Sequence, residues 1–438
     1  MNNELQKGDK KLLNAWAFYD WANSTYSLVI ASAIFPLFYG ALFRGAGIEE
    51  IEVFGMMLRR SPLIFYTTAV AFLIVAIISP ILSGVADYLG NKKYFLKFFC
   101  YMGALATIGL YWFSLEHIYL SLLLYALGLI GFWGSLVFYN SYLPDIAFPD
   151  QHDAISAKGY SWGYIGSVIL LGWCLFMILG YEIFGFEDEG FPTRLSFVLT
   201  GVWWIGFSQY TYRYLPKGNE ADGKLTGAVL LNGFNELRAI WRSMQSQLRL
   251  KKYLIAFFVY SMAVQTVMLA AAYFGEQELE WGSDSERTTG LIGSILLIQL
   301  VAVAGAYLTS KLSARIGNLK ALIIINIVWI FICAWAYFVY TPVQFYITAA
   351  FVGLVMGGIQ SLSRSTYAKF LPETEDTTSY FSFYDVAEKI GIIIGMFLYG
   401  FIEELTGSMR YSIVFLILFF AAGVVLLLRV PKDRTVIT

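Results

Sequence analysis

Gly84-Val-Ala-Asp87-Tyr-Leu-Gly90-Asn-Lys92-Lys93 joins two long apolar segments in the first half of the chain. Part of this stretch, Gly90-Asn91 with Lys93, recurs 227 residues later as Gly317-Asn318 with Lys320. A second pair, Leu143-Pro144-Asp145 and Leu371-Pro372-Glu373, is repeated at an offset of 228. Two independent matches at nearly the same offset predict a chain built from two halves of one architecture.

The apolar segments on either side of these motifs indicate a membrane protein. Hydrophobic residues make up 58% of the chain and charged residues only 14%, whereas a soluble domain is roughly a quarter charged. A membrane-spanning helix needs about 20 mostly apolar residues. Twelve segments meet this requirement, near 15–43, 61–86, 94–114, 117–142, 158–182, 193–214, 251–275, 288–311, 318–340, 342–368, 380–404 and 408–430. The sequence therefore predicts an all-α membrane protein with twelve transmembrane helices.

Lysine and arginine are distributed unevenly between the two sides of this arrangement. If both termini lie on one side, that side holds most of the 30 basic residues. The opposite side then holds only six arginines, Arg44, Arg59, Arg60, Arg194, Arg287 and Arg410. By the positive-inside rule both termini are predicted to be cytoplasmic, which requires an even number of spans.

A polar segment, 215–250, divides the chain into two six-helix halves, 1–214 and 251–438. Its second part places six apolar residues at helical spacing, with Arg238, Arg242 and Arg249 off that face. The six residues are Leu230, Phe234, Leu237, Trp241, Met244 and Leu248. The pattern predicts a cytoplasmic linker with an amphipathic helix that lies on the inner leaflet and tethers the two halves.

The stretch quoted first resembles the signature loop of the major facilitator superfamily. That loop has a glycine, an acidic residue and a second glycine at three-residue intervals, followed by basic residues, here Gly84, Asp87, Gly90, Lys92 and Lys93. The second copy departs from the pattern, with Lys311 and Ala314 in place of the first glycine and the acid. The resemblance implies two parallel six-helix halves, alternating access of one binding site to the two sides of the membrane, and a monomer.

A finer resemblance covers essentially the whole chain. Phe18-Tyr19-Asp20-Trp21-Ala22-Asn23-Ser24 is similar to the opening motif of the vacuole-effluxer (autophagy-related permease) family and its bacterial relatives. The second half matches that family through Ser363-Arg364-Ser365, Leu371-Pro372-Glu373, Phe383-Tyr384-Asp385 and Glu388-Lys389. Fungal members are implicated in releasing amino acids from the vacuole. The resemblance therefore implies amino acid efflux, here across a bacterial inner membrane.

Four ionisable residues fall inside predicted spans, where each needs an explanation because a charge in a membrane is costly. Asp20 lies on one face of the first span with Asn23, and this face is predicted to line a wet central cavity. The other three are Asp385, Glu388 and Lys389 in the eleventh span. Asp385 and Lys389, at i and i+4, are predicted to pair, and Tyr384 and Glu388 form a neighbouring stripe.

The role of these charges stays open between three hypotheses. They form a static network that holds the helices in register, an inner gate of ion pairs, or a proton-coupling site through Asp20 or Glu388. By analogy with major facilitators, the gate hypothesis brings Lys158 and Asn140 close to Glu388 and Arg364.

The substrate pocket is expected nearer the middle of the membrane. Polar and aromatic residues of the predicted spans are the candidates for its lining, namely Asn23, Tyr26, Tyr260, Gln265, Gln299 and Gln360. Aromatic rings with a few amides suit a small zwitterionic or polar solute. The alternative for each residue is a hydrogen bond to a neighbouring helix.

Other classes of function find little support in the sequence. Cys100, Cys174 and Cys333 lie in apolar runs, and the two histidines, His117 and His152, lie near helix ends, so neither a metal site nor a cofactor is predicted. A net charge of −1 gives no sign of nucleic acid binding. A membrane-embedded enzyme acting on lipid or sugar donors would need catalytic motifs that are absent. The alternative on the same fold is a drug or peptidoglycan-fragment permease.

Overall fold

Long helices dominate the computed structural model, which describes residues 6–48, 50–217 and 227–431. The helices are α1 (Lys10–Thr25), α2 (Phe35–Ala46), α3 (Arg60–Leu89), α4 (Lys92–Gly109), α5 (Ile118–Ser141), α6 (Leu143–Ile146), α7 (His152–Leu179), α8 (Gly190–Tyr214), α9 (Gly227–Ser246), α10 (Leu248–Gln277), α11 (Asp284–Ile316), α12 (Asn318–Ala336), α13 (Pro342–Phe370), α14 (Thr377–Thr406), α15 (Met409–Phe415) and α16 (Ile417–Leu428). A π-helical stretch, Tyr26–Ile34, joins α1 to α2 without a break. Two short 3₁₀ turns, Leu110–Trp112 and Tyr181–Phe184, follow α4 and α7.

Within the described residues, ten helical segments are long and apolar enough to cross a membrane. The two predicted spans outside this set correspond to α8 and α14, which have 25 and 30 residues. At 1.5 Å per residue they are about 37 and 45 Å long, so both can span a bilayer. α14 is less apolar because it contains Asp385, Glu388 and Lys389, and α8 because it is rich in Trp, Tyr and Gly. The twelve-helix prediction is consistent with these lengths.

The all-α prediction missed one small β-hairpin. Strands β1 (Glu50–Val53) and β2 (Met56–Arg59) pair antiparallel between α2 and α3. The two turn residues, Phe54 and Gly55, have φ of 51° and 75°, as a tight two-residue hairpin turn requires. The Phe54 amide donates to the Tyr119 hydroxyl at 3.1 Å. Two four-residue strands are too short to stand out by alternation in so apolar a sequence.

The chain divides into two compact units. Unit 1 comprises Met1–Tyr142 and Trp162–Gly233, and unit 2 comprises Leu143–Ser161 and Phe234–Thr438. The segment 143–161, which holds α6 and the beginning of α7, therefore packs with the second half of the chain although it lies within the first half of the sequence. Residues 218–226 of the predicted linker, and the side chains of Leu230, Phe234 and Leu237, lie outside the described part of the structure.

The two units repeat the same internal packing. In unit 1, α8 packs against α1 and α4, and in unit 2, α16 packs against α10 and α12. In each predicted half, these three helices are the first, third and sixth spans. The repeat that two loop motifs indicated is therefore present in the helix packing of each unit.

In each unit an arginine donates hydrogen bonds to the carbonyls that follow the third predicted span. Arg194 Nη1 donates to the carbonyls of Tyr111 at 2.6 Å and Phe113 at 2.9 Å, just beyond α4. In unit 2, Arg410 Nη1 donates to the carbonyls that follow α12, those of Tyr337 at 2.9 Å and Val339 at 2.7 Å. The last carbonyls of a helix lack partners in the helix itself, so both arginines act as C-terminal caps. Two of the six arginines predicted on the outer side are thereby explained by helix capping.

Candidate functional site

A buried cluster of three charged side chains lies on α14. Lys389 is fully buried, and its Nζ lies 2.6 Å from Asp385 Oδ1 and 3.3 Å from Glu388 Oε2. Glu388 Oε1 accepts a hydrogen bond from Gln265 Nε2 of α10 at 2.8 Å. The pairing of Asp385 with Lys389 follows from their i, i+4 spacing, as predicted. We call Asp385, Glu388 and Lys389 the charged triad.

The charged triad is not symmetrical in its contacts. Asp385 is only 5% exposed, and its Oδ2 is buried and meets no hydrogen-bond partner among the residues that the structure describes. Glu388, by contrast, keeps 17% of its side chain exposed. Two carboxylates and one ammonium give the triad a formal charge of −1. One negative charge in an apolar environment is costly unless a cation accompanies it.

Aromatic rings surround the triad within unit 2. The Tyr384 ring stacks on Phe257 at 4.0 Å and lies 4.9 Å from Tyr367. Tyr260, 1% exposed, shares a hydrogen bond of 2.7 Å with Ser363 Oγ, and the Tyr253 hydroxyl donates to the Ser363 carbonyl at 2.9 Å. Tyr384 directly precedes Asp385 on α14, so these buried rings give this part of unit 2 a low local dielectric constant, which strengthens electrostatic interactions.

Arg364 connects α13 to the beginning of α7. Its Nε donates to Ser156 Oγ at 2.9 Å and its Nη2 to the Ser156 carbonyl at 3.0 Å. The guanidinium also lies 4.3 Å from the centre of the Tyr160 ring. The sequence predicted that Lys158, at the start of the fifth span, approaches Glu388 and Arg364. Lys158 is half-buried on α7, two residues after Ser156, and its approach to these residues stays a prediction.

A second polar cluster binds the same segment 143–161 to unit 2. Asp153 accepts hydrogen bonds from Lys369 Nζ at 2.6 Å, Asn318 Nδ2 at 2.8 Å and Ser313 Oγ at 3.0 Å. Sequence analysis missed Asp153, Ser313 and Lys369 as site residues. The available signal was Asn318, which belongs to the repeated Gly-Asn motif but was noted only as a sign of repetition.

The first copy of the repeated motif has its own contacts in unit 1. Gly90 ends α3 with φ of 63°, a conformation that glycine adopts without strain. Lys93 is 8% exposed and its Nζ donates to the Leu215 carbonyl at 2.7 Å. Lys92 Nζ donates to the Ser141 carbonyl at 3.2 Å. Gly84 is buried, and Asp87 is half-buried, in the last two turns of α3.

On α1, Asp20 and Asn23 are packed inside unit 1. Asp20 is 4% exposed and accepts a hydrogen bond from the Tyr139 hydroxyl at 2.9 Å. Trp16 stacks on Tyr139 at 4.6 Å and donates to its carbonyl at 2.9 Å. Sequence analysis predicted that this face of α1 lines a wet cavity. The packing is tighter than that, because the Tyr139 side chain of α5 covers Asp20.

Asn23 and Tyr26 lie one turn further along the same helix. Asn23 is 1% exposed and Tyr26 is fully buried, 5.3 Å from Phe132 between ring centres. Asn23 Nδ2 and the Tyr26 hydroxyl have no hydrogen-bond partner in the part of the chain that the structure describes. The π-helical stretch begins at Tyr26, and such stretches occur frequently at functional sites. These two buried polar groups therefore keep unused hydrogen-bonding capacity within the described residues of unit 1.

Three other predicted pocket residues lie in unit 2, on α10, α13 and α11. Gln265 contacts Glu388, as described above. Gln360 is half-buried on α13, with its Nε2 3.6 Å from Met268 Sδ. Gln299 is half-buried on α11. Asn140 is half-buried near the end of α5 in unit 1, and its approach to Arg364 or Glu388 stays a prediction.

Comparison with solved structures identifies the fold. The major facilitator superfamily transporter FucP, in an outward conformation, matches with a TM-score of 0.63 at 15% identity, covering 97% of this chain and 99% of that one. The proton:xylose symporter XylE of the same superfamily matches with a TM-score of 0.67 at 11% identity, covering 96% and 95%. This chain has the major facilitator fold, as predicted.

The sequence then identifies the family. The chain belongs to the vacuole effluxer Atg22-like family, which matches residues 8–437. It is 32% identical to the uncharacterized MFS-type transporter YxiO of Bacillus subtilis strain 168, over 98% of this chain and 97% of the relative. It is 25% identical to autophagy-related protein 22 of Kluyveromyces lactis, over 94% and 91%. The resemblance noted in the sequence is confirmed, and the protein is a multi-pass membrane transporter.

Proposed function

We propose that this protein is a secondary transporter that exports amino acids, coupled to protons, by alternating access. The observation that supports the proposal most is the charged triad, which combines a formal charge of −1 with a partly exposed carboxylate, Glu388. A proton and the ammonium group of an amino acid are both cations that compensate this charge. Competition between them for one site would couple the movement of the solute to that of protons.

The chemistry around Glu388 favours a zwitterion over a fully charged solute. Gln265 presents an amide beside the carboxylate, and Tyr260 and Tyr384 provide an aromatic wall. The ammonium group of an amino acid can pair with the Glu388 carboxylate. The carboxylate of the amino acid itself then requires other hydrogen-bond donors.

Alternating access requires a contact that breaks in one state. We propose the segment 143–161 for this role, because Asp153 and Ser156 bind it to α13 through Lys369 and Arg364. The chain continues from this segment directly into α5 and into residues 162–179, which belong to unit 1. Release of the segment from Lys369 and Arg364 would open the cytoplasmic side. This gate adds Asp153 and Ser156 to the predicted gate residues Lys158 and Asn140.

The proposal includes a location and an assembly. Uneven distribution of lysine and arginine supports cytoplasmic termini in a bacterial inner membrane. By analogy with other proteins of the major facilitator fold, the protein is a monomer embedded in the lipid bilayer.

Purified protein in liposomes tests the function. Uptake of a labelled amino acid panel is measured with and without an outward proton gradient, acid inside, because exchange for leaving protons drives the amino acid inward. The unmodified chain is compared with Glu388→Gln, Asp385→Asn and Asp20→Asn. Glu375→Gln, on an exposed loop residue, is the matched control. We expect gradient-dependent flux that Glu388→Gln abolishes and the control preserves. Flux that does not depend on the gradient would remove proton coupling, and flux that persists in all three variants would assign these acids structural roles. Absence of flux would point to drugs or peptidoglycan fragments instead.

A further inference from the structure

The second half of the linker helix α9 is docked on the first turns of α14. The Trp241 ring lies 5.5 Å from the Phe383 ring. Tyr380 donates from its hydroxyl to Ser243 Oγ at 3.2 Å and accepts from Gln247 Nε2 at 3.3 Å. Met244 is 2% exposed. The described part of the predicted amphipathic face thus packs partly on protein instead of lying wholly on lipid.

The contacted turns of α14 lead directly into the charged triad. Phe383 precedes Asp385 by two residues, and Tyr380 lies less than two helical turns before it. The Tyr380 carbonyl also accepts a hydrogen bond from the Tyr367 hydroxyl at 2.5 Å, so this end of α14 is fixed from α13 as well as from α9. A change in the mobility of α9 will therefore change the mobility of the first turns of α14.

The opposite side of α9 is basic and exposed. Arg238 and Arg242, one turn apart, are both exposed, and Trp241 keeps 49% of its surface exposed beside them. Residues 234–252 contain five basic side chains and one acidic side chain. Leu248, 54% exposed, begins the membrane-spanning helix α10 directly after α9. Exposed Trp and Leu beside arginines at the end of a membrane span match the chemistry of the lipid headgroup region.

We propose that Arg238 and Arg242 bind the headgroups of anionic phospholipids. This binding holds α9 in place and thereby limits the mobility of the first turns of α14. Positive charge beside an apolar, membrane-proximal helix is complementary to a negatively charged leaflet. Lipid composition then regulates the mobility of the helix that carries the charged triad. This inference goes beyond transport itself, and its test does not require a known substrate.

Hydrogen–deuterium exchange of the full-length protein in nanodiscs tests the proposal. Nanodiscs of phosphatidylcholine alone are compared with nanodiscs that also contain phosphatidylglycerol. We expect phosphatidylglycerol to slow exchange in the peptides covering 238–247 and 377–385. The variant Arg238→Gln/Arg242→Gln is expected to lose roughly 10- to 30-fold in this protection, since each basic residue near an anionic surface contributes about 1 kcal/mol.

Three controls make the outcome decisive. Arg315→Gln/Lys320→Gln removes two exposed charges near the end of α11 and the start of α12, and it should leave the lipid effect unchanged. Tyr380→Phe should keep the lipid protection of α9 but weaken that of 377–385. Added salt should cancel the effect in the unmodified chain, which tests the charge contact without a substitution. Equal exchange in both lipids, or equal loss in the Arg315 control pair, would overturn the proposal.

Discussion

Lys369 and Asp153 form an ion pair of 2.6 Å, although 216 residues separate them in the sequence. Both residues lie in unit 2, with Asp153 in the segment 143–161 and Lys369 in the last turn of α13. The chain continues from both ends of the segment into unit 1. Asn318, from the repeated Gly-Asn motif, donates to the same carboxylate. The repeat that identified the architecture therefore also contributes to the contact proposed as the gate.

Lys369→Met is expected to loosen the segment 143–161. The pair is largely buried, with 21% and 10% of the two side chains exposed, so its loss should cost about 1–3 kcal/mol and shift the closed population about tenfold or more. Ala157→Cys, at a buried position of the segment, serves as the reporter, because the native cysteines are buried. Maleimide labelling of this cysteine should become faster in Lys369→Met.

Lys320→Met is the control, because it removes an exposed lysine two residues after Asn318, at the start of α12. It should not change the labelling rate. The charge exchange Asp153→Lys/Lys369→Asp should restore part of the slow labelling. If Lys369→Met labels no faster than the control, the segment is held by other contacts and the gate hypothesis fails.

Lys389→Met is expected to destabilise the protein strongly. It leaves Asp385 and Glu388 as buried carboxylates without their ammonium, and removing one partner of a buried pair costs about 3–5 kcal/mol. The double variant Asp385→Asn/Lys389→Met removes charge from both sides and should recover a large part of this loss. Thermal unfolding of the detergent-solubilised protein measures both effects. Independent, additive losses would show that the two side chains do not act as a pair.

Tyr139→Phe is expected to destabilise unit 1 by about 1–3 kcal/mol, because Asp20 loses the hydroxyl that donates to its buried carboxylate. Tyr26→Phe is a matched control, since its hydroxyl is buried without a partner among the described residues. That control should be neutral or slightly stabilising in thermal unfolding. A drop in stability of the same size in both variants would mean that the aromatic packing, and not the hydrogen bond, responds to the substitution.

Arg410→Lys is expected to behave nearly like Arg410→Met, with a loss of about 2–4 kcal/mol. The Arg410 guanidinium donates at once to Glu278 Oε2 at 2.9 Å and to the carbonyls of Tyr337 and Val339, a geometry that a lysine ammonium does not reproduce. Arg194→Lys should show the same failure in unit 1, whereas Arg44→Lys, at an exposed position, should be neutral. The measurement is again thermal unfolding, and full rescue by lysine at either site contradicts the capping role.

The sequence by itself determined the properties that depend on local segments. Apolar length predicted the membrane helices, because a segment in lipid must satisfy its own backbone hydrogen bonds as a helix. Two loop motifs predicted the repeat that the helix packing of both units contains. The orientation inferred from lysine and arginine stays a prediction. The i, i+4 pair of Asp385 and Lys389 was also predictable, since helical geometry alone places these side chains together.

Only the tertiary structure decided which distant side chains meet. Asp153 with Lys369, Asp20 with Tyr139, and Arg410 with the carbonyls after α12 are each separated by more than 70 residues, so no spacing rule relates them. The sequence also did not predict the hairpin between α2 and α3 or the docking of α9 on α14. Hydrophobic length places a helix in the membrane, but the packing of one helix against another selects the partner of each buried polar group.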